Sequence, residues 1–369
     1  MMKLLKYILI VAVIGIILVS VLTRVPAVQD RLMLRFVQTL ASSTADLNDN
    51  SLSAVVCGSR SPLPSPGRAQ TCVLVNAGGN YYVVDIGDGS AVNLNNWRID
   101  ANKIRATLLT HLHSDHISDL ADLHLMTWIN TSHSKPMDVY GPAGVELVTQ
   151  GFEDAYQLDY QYRHEHHGDE IAPKDIAGFN PFPIDLSNPV IIDEDGLKVT
   201  AFKVTHDPID PALGFRFDYK GRSIVISGDT IYDENLIKHA KDADVLFHEA
   251  QANHQLDIMR KALANNEGLV TILNDIETYH TTPVEAAKVA NLANVDHLFF
   301  YHLTPAPRNN LTERMFFRGV NDIRKEWSST KDGTMVVLPL DSDEIIITDI
   351  AEVLISSKIL ILTSVVDNV

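Results

Sequence analysis

The spacing of apolar and polar positions changes character several times along the chain, and each change predicts a different element. Residues 7–22, YILIVAVIGIILVSVL, follow Lys3 and Lys6 and hold no charge. With no polar face they do not read as a core helix, and their length sits at the short end of what crosses a bilayer. Residues 28–42 have the spacing of a short amphipathic helix, and the polar 43–50 read as a linker. From Ser51 the pattern becomes strand-like: LSAVVCG, TCVLVNAGGNYYVVDIGDG, KIRATLLT and PMDVYG, broken by turn-rich stretches. HISDLADLHLMTWI and GVELVTQGFEDAY return to helical spacing. Residues 157–185 are polar, include His164, His166 and His167, and read as an excursion or lid. Strands follow at LKVTAFKVTH, GFRFDYKGRSIVISGD, ADVLFHEA and DHLFFYHL. TPVEAAKVANLA predicts a helix capped by Thr282 with Pro283 in its first turn. The C-terminal apolar stretch is broken by Asp349, Glu352 and Lys358, too often for a second membrane span. It reads as one strand and then a segment without an assigned role. Two strand-rich halves, each ending in helices, predict two sheets packed face to face with helices outside.

These patterns divide the chain into a signal anchor or signal peptide (1–27), an amphipathic segment and linker (28–50), a catalytic domain (51–345) and a C-terminal segment (346–369). Arg24 and Pro26 make a poor cleavage site despite the small Val25 and Ala27, which favours an uncleaved anchor over a cleaved peptide. Lys3 and Lys6 hold the N-terminus in the cytoplasm by the positive-inside rule, which puts the main body outside it. The location expected is an inner-membrane anchor with a periplasmic domain, or secretion to the periplasm. Cys57 and Cys72 are the only cysteines, and either one disulfide or two buried thiols fits them. The 30 Lys and Arg against 47 Asp and Glu give a net charge of −17. That balance argues against a broad nucleic-acid-binding surface, which needs clustered positive charge. Fifteen histidines are many for 369 residues and give the first hint of metal chemistry.

The hint sharpens at Thr110-His111-Leu112-His113-Ser114-Asp115-His116, where four candidate ligands fall within six residues at a strand-to-helix junction. Alternate positions of an extended stretch point the same way, so His111 and His113 can share one ion. Asp115 and His116 begin the turn and can face a neighbouring one. Imidazole and carboxylate together suit zinc or a similar divalent metal. Further ligands come from VTHDP (His206), ISGDT (Asp229) and FFYHLTP (His302), each a lone polar residue at the end of an apolar strand.

With these motifs in this order, residues 51–345 resemble the metallo-β-lactamase-fold hydrolases. The resemblance implies an α+β, four-layer αββα sandwich with a dinuclear site at one edge of the sheets. It implies that His111, His113 and His206 hold one zinc, that Asp115, His116 and His302 hold the second, and that Asp229 bridges them. Manganese and iron remain open alternatives. Asp85 of DIGDG would support the site without ligating. CGSRSPLPSPGRAQ, YGPAG, FHEAQ and YHTTPVEAA resemble the ribonuclease Z and arylsulfatase-like branch. In that branch the matching Glu249 and His280 lie beside the metals, with His280 assisting the leaving group, Glu249 orienting it and Asp115 orienting the nucleophile. The expected reaction is hydrolysis of a phosphodiester, sulfate or related small-molecule ester by hydroxide generated at the metals, with lactones and β-lactams next. A non-catalytic metal-binding scaffold is the alternative from another class. Only 22 residues separate His206 from Asp229, too few for the long arm with which ribonuclease Z enzymes grip transfer RNA. Nucleic acid is therefore not the expected partner. A homodimer is compatible with the branch. Arg60, Arg68 and Arg308 are candidates to meet an anionic substrate, and His124 and His248 read as packing.

Overall fold

In the computed structural model, residues 2–41, Ala45 and 47–354 are described. The N-terminal unit contains the helices Met2–Leu22 and Pro26–Ala41. The first is long and apolar enough to cross a membrane, a property that signal sequences share. Pro26 opens the second, where its missing N–H costs nothing. Residues 355–369, most of the predicted C-terminal segment, lie outside the described residues, as do parts of the predicted 43–50 linker.

Residues Ala45–Val353 form a second compact unit. Among its described residues there are two sheets. The eight-stranded sheet runs Ile346–Asp349, Thr334–Pro339, Ser51–Gly58, Cys72–Ala77, Asn80–Val84, Ile104–Leu108, Met137–Gly141 and Phe179–Pro183. The seven-stranded sheet runs Trp327–Ser329, His297–Thr304, Val245–Gln251, Arg222–Ile226, Ile209–Tyr219, Leu197–His206 and Val190–Glu194. Their facing sides bury Leu52, Val75, Leu108, Phe215, Phe217, Phe247 and Phe299 in one core. Removal of that apolar surface from water is the main force holding the sheets together. The outer face of the second sheet buries Ala286, Val289 and Ala290 of the Pro283–Leu292 helix against Leu298 and Phe300. Thr282 caps this helix in a reciprocal capping box with Glu285, as its Thr-Pro start predicts.

The strand directions set up the site. Asn80–Val84 and Ile104–Leu108 are parallel, as are Arg222–Ile226, Val245–Gln251 and His297–Thr304. Leu197–His206 reaches the same edge through two antiparallel pairings. The carboxyl ends of these strands therefore gather at one edge of the paired sheets, where open α/β architectures place their ligands.

The structure departs from the predicted elements at three places. The helix after Gly144 does not stop near Tyr156 but runs Val145–His167, so the predicted 157–185 lid is mostly helix and edge strand. Its terminal His164, His166 and His167 sit in the last turn, at the negative end of the helix dipole. Two short helices, Ser114–Ile117 and Leu120–Trp128, replace the single one predicted after the HxHxDH run. Residues 253–278, unassigned from sequence, form the helices Asn253–Ala262 and Glu267–Asp275 and a short turn of 3₁₀ helix.

Candidate metal centre

The seven predicted ligands converge at this edge. His111 and His113 leave the Ile104–Leu108 strand, Asp115 and His116 begin the next short helix, and His206 closes its strand. Asp229 follows Arg222–Ile226 by three residues. His302 is delivered by an irregularity: Tyr301 pairs with Glu249 and Leu303 with Ala250, which leaves His302 as the unpaired residue of a bulge. Its φ of +46° is unusual for a non-glycine residue and turns the imidazole toward the ligands.

Three ligand triplets have donor atoms mutually within 4.8 Å: His111–His113–His206, His111–His116–Asp229 and Asp115–His116–His302. Asp229 Oδ2 lies at their centre, 3.9 Å from His111 Nε2, 3.4 Å from His116 Nε2, 4.0 Å from His206 Nε2 and 3.3 Å from His302 Nε2. His302 Nε2 is also 3.3 Å from Asp115 Oδ2. His116 Nε2 and Asp229 Oδ1 are buried without a hydrogen-bond partner. A fold rarely leaves such atoms unpaired, and a divalent ion would satisfy them. The donor set therefore fits two adjacent divalent ions of the zinc class.

Surrounding groups fix the ligand tautomers. His116 Nδ1 lies 2.9 Å from Asp85 Oδ2, and His206 Nδ1 lies 2.9 Å from the Tyr279 carbonyl. Each Nδ1–H donates outward and leaves the Nε2 lone pair facing the centre. Asp85 also accepts from the Thr110 backbone N–H and hydroxyl, both at 2.8 Å. It is fully buried with a φ of +55°, a backbone conformation held only where the surroundings demand it.

The electrostatics favour neutral ligands around a positive charge. Burial, reinforced by His116, holds His111 well below the ordinary imidazole range. Burial takes His206 down to about 4 and lowers His113 as well. Burial works against ionised Asp229, but His302 and His116 outweigh it and hold the carboxylate well below its usual range. Burial also disfavours charged His116, but Asp229, Asp85 and Asp115 overcome it and raise that imidazole well above its ordinary value. Carboxylates that draw a proton onto a buried imidazole equally draw a cation.

Glu249 and His280 form a second layer. His280 Nδ1 lies 2.9 Å from Glu249 Oε1, and the same oxygen accepts from the backbone N–H groups of Thr281 and Thr230. Donor atoms of Glu249, His280 and His302 also lie within 4.8 Å of one another, as do those of His206, Asp229 and His280. His280 thus lies within reach of both the Asp229 and the Glu249 carboxylates.

A cavity of about 280 Å³ opens on the ligands. Its lining includes His113, Asp115, His206, Asp229 and His280 together with Ser61–Leu63, Ile272, Ile276 and Tyr279. No residue of 157–185 lines it, so the polar excursion does not wall this site. Ser61–Leu63 and Tyr279 lie within the CGSRSPLPSPGRAQ and YHTTPVEAA motifs, which gave them no individual role, while Ile272 and Ile276 carried no signal in the sequence. His124 packs among Trp128, Tyr160 and Phe179, and buried His248 bonds the backbone of Glu249, so neither joins the ligands.

Residues 71–303 match the family model of the beta-lactamase superfamily domain. Ribonuclease Z of Mycolicibacterium paratuberculosis is 34% identical over 263 residues, 69% of this chain and 87% of that protein. Ribonuclease Z of Mycobacterium marinum is 33% identical over 251 residues, 68% of this chain and 85% of its own length. Human tRNase Z, short form, superposes with a TM-score of 0.55 at 21% identity, covering 77% of this chain and 98% of that one.

These relatives correct one expectation from the sequence. Proteins a third identical over most of their length are named for acting on RNA, so nucleic acid cannot be set aside as a partner. The expectation rested on the short His206–Asp229 spacing and on the chain-wide charge, and neither outweighs this likeness. Phosphate recognition is local, so a chain-wide sum does not decide it. Of the predicted arginines, Arg60 bonds Asp88 and the carbonyls of Ser61, Pro62 and Arg68, Arg68 bonds Ser59 and the Thr330 carbonyl, and neither these nor Arg308 line the cavity. Fold, ligand chemistry and relatives agree: the chain belongs to the metallo-β-lactamase superfamily, among the ribonuclease Z homologues, and is a metal-dependent hydrolase.

Proposed function

We propose that the protein is a dinuclear phosphodiesterase, zinc-dependent in the first instance. The observation that carries the reading is the position of Asp229 Oδ2 between the two ligand triplets, with the Glu249–His280 pair beside it. His111, His113 and His206 would hold one ion, Asp115, His116 and His302 the other, and Asp229 both. Bound ions of this class supply Lewis acidity toward the phosphoryl oxygen and an activated water.

The chain's own residues do the rest. Asp115 orients the attacking water by its free lone pairs. His280 stands at the cavity wall, where its Nε2 can pass a proton to the departing oxygen. Glu249 holds the His280 ring through Nδ1 and fixes which nitrogen faces the substrate. Burial lowers the His280 imidazole, so the neutral ring, its Nδ1–H on Glu249, first takes the proton of the attacking water on Nε2 and then delivers it to the departing oxygen.

The names of the relatives put RNA among the phosphodiesters to be tested. The apolar Met2–Leu22 helix and the Cys57–Cys72 disulfide together support a body anchored to a membrane and facing an oxidising compartment such as a periplasm. The test is zinc-replete full-length protein in detergent, given bis(p-nitrophenyl) phosphate and a 3′-extended transfer RNA. Turnover of either that falls at least ~100-fold in His280→Ala, with metal content unchanged, supports the reading. No turnover of either by metal-loaded, folded protein overturns it.

A further inference from the structure

The cavity lining combines the candidate ligands His113, Asp115, His206 and Asp229 with the apolar or aromatic Leu63, Ile272, Ile276 and Tyr279. Ile272 is 53% exposed, while its neighbour Leu273 is fully buried in the body of the unit. A large aliphatic side chain left open beside a reaction centre is a binding surface awaiting its partner. The cavity lining among the described residues contains no Lys or Arg.

These walls are braced. Gln251 Nε2 donates to the Ile276 carbonyl at 2.9 Å, and Arg260 ties Leu273 to Glu277. On the facing loop, Arg60 Nη1 donates to the carbonyls of Ser61 and Pro62. The apolar side is thus a preformed surface on two anchored segments.

We infer that this site selects phosphodiesters whose organic arm is uncharged and apolar, an aryl or alkyl group seated against Ile272 and Ile276. The inference rests on the phosphodiesterase reading above and narrows it. An apolar arm leaves water for an apolar wall, whereas a polar or charged arm loses its hydration without a partner there.

The test measures competitive inhibition of bis(p-nitrophenyl) phosphate turnover by dimethyl, dibutyl and diphenyl phosphate and by the dinucleotide TpT. All are singly charged diesters, so the metals see the same charge throughout. Diphenyl and dibutyl phosphate are expected to bind ~10-fold or more tighter than dimethyl phosphate. Ile272→Ser, at an exposed position that folding does not need, is expected to cut that ratio by several fold, and the pair Ile272→Ser, Ile276→Ser to bring it near one. Equal inhibition by dimethyl and diphenyl phosphate, or tightest binding by TpT with no response to the Ile272 change, overturns the inference. Failure to turn over the chromogenic diester at all counts instead against the phosphodiesterase reading.

Discussion

Asp85 tests how the fold prepares its ligands, because it touches the site only through others. Its carboxylate accepts from the Thr110 N–H, the Thr110 hydroxyl and His116 Nδ1, at 2.8, 2.8 and 2.9 Å. Asp85→Asn keeps the shape and removes the charge. One amide oxygen can serve only one side, so the amide N–H₂ must face either the Thr110 N–H or His116 Nδ1–H, donor against donor. The contact to His116 is charge-assisted and fully buried, a class worth about 1.5–3 kcal/mol. Its loss lets the ring turn or change tautomer, which takes the Nε2 lone pair off the centre. Weakening of metal affinity by ~10–100-fold is expected, equivalent to about 1.4–2.8 kcal/mol. The assay is zinc competition against a chromogenic chelator, with circular dichroism to verify that the variant folds. A folded variant whose zinc affinity stays within about twofold of the parent would refute the reasoning.

Three further expectations follow from other parts of the structure. Replacing Cys57 and Cys72 by Ser together, across a sequence separation of 15, is expected to lower stability by about 3 kcal/mol in denaturant unfolding; a change below about 0.5 kcal/mol counts against a structural disulfide. Burial takes the His124 imidazole down to about 4, and the unfolded chain holds it near its ordinary 6.5, so the unfolded state takes up the proton first as pH falls. Stability is therefore lost between those two values, at about 1.4 kcal/mol per pH unit. His124→Gln, which keeps an acceptor for the Gly178 N–H, is expected to flatten urea-unfolding stability over that window; parallel profiles would sink the argument. Stripping the metal with a chelator is expected to lower the Tm, and resupplied zinc at about 100 times its Kd to restore about 2.7 kcal/mol per ion; a Tm indifferent to both treatments contradicts a folded-state metal site.

The convergence of the seven candidate ligands was legible in the sequence because such residues are locally dense or starkly placed. His111, His113, Asp115 and His116 crowd one turn, and His206, Asp229 and His302 each end a run that is otherwise apolar. The bulge that turns His302 was not legible, since a skipped residue leaves no trace in the alternation of a strand buried on both faces. The helix extending to His167 was hidden because its last turns lie on the surface and carry no apolar stripe. The cavity wall was hidden for a long-range reason: Leu63 and Ile272, far apart in sequence, line one cavity only once the chain is folded, and a lone isoleucine in a mixed segment carries no sign of where it faces. Chain-wide charge misled most, because −17 is a sum and a substrate meets only the few groups around one opening.

The central claim is a dinuclear hydrolytic centre, and elemental analysis joined to diester turnover on one sample of full-length protein tests it most directly. The account predicts two divalent ions per chain, and loss of both turnover and metal in His113→Ala. Less than one ion per folded chain after zinc resupply, or turnover undiminished in His113→Ala, would contradict it.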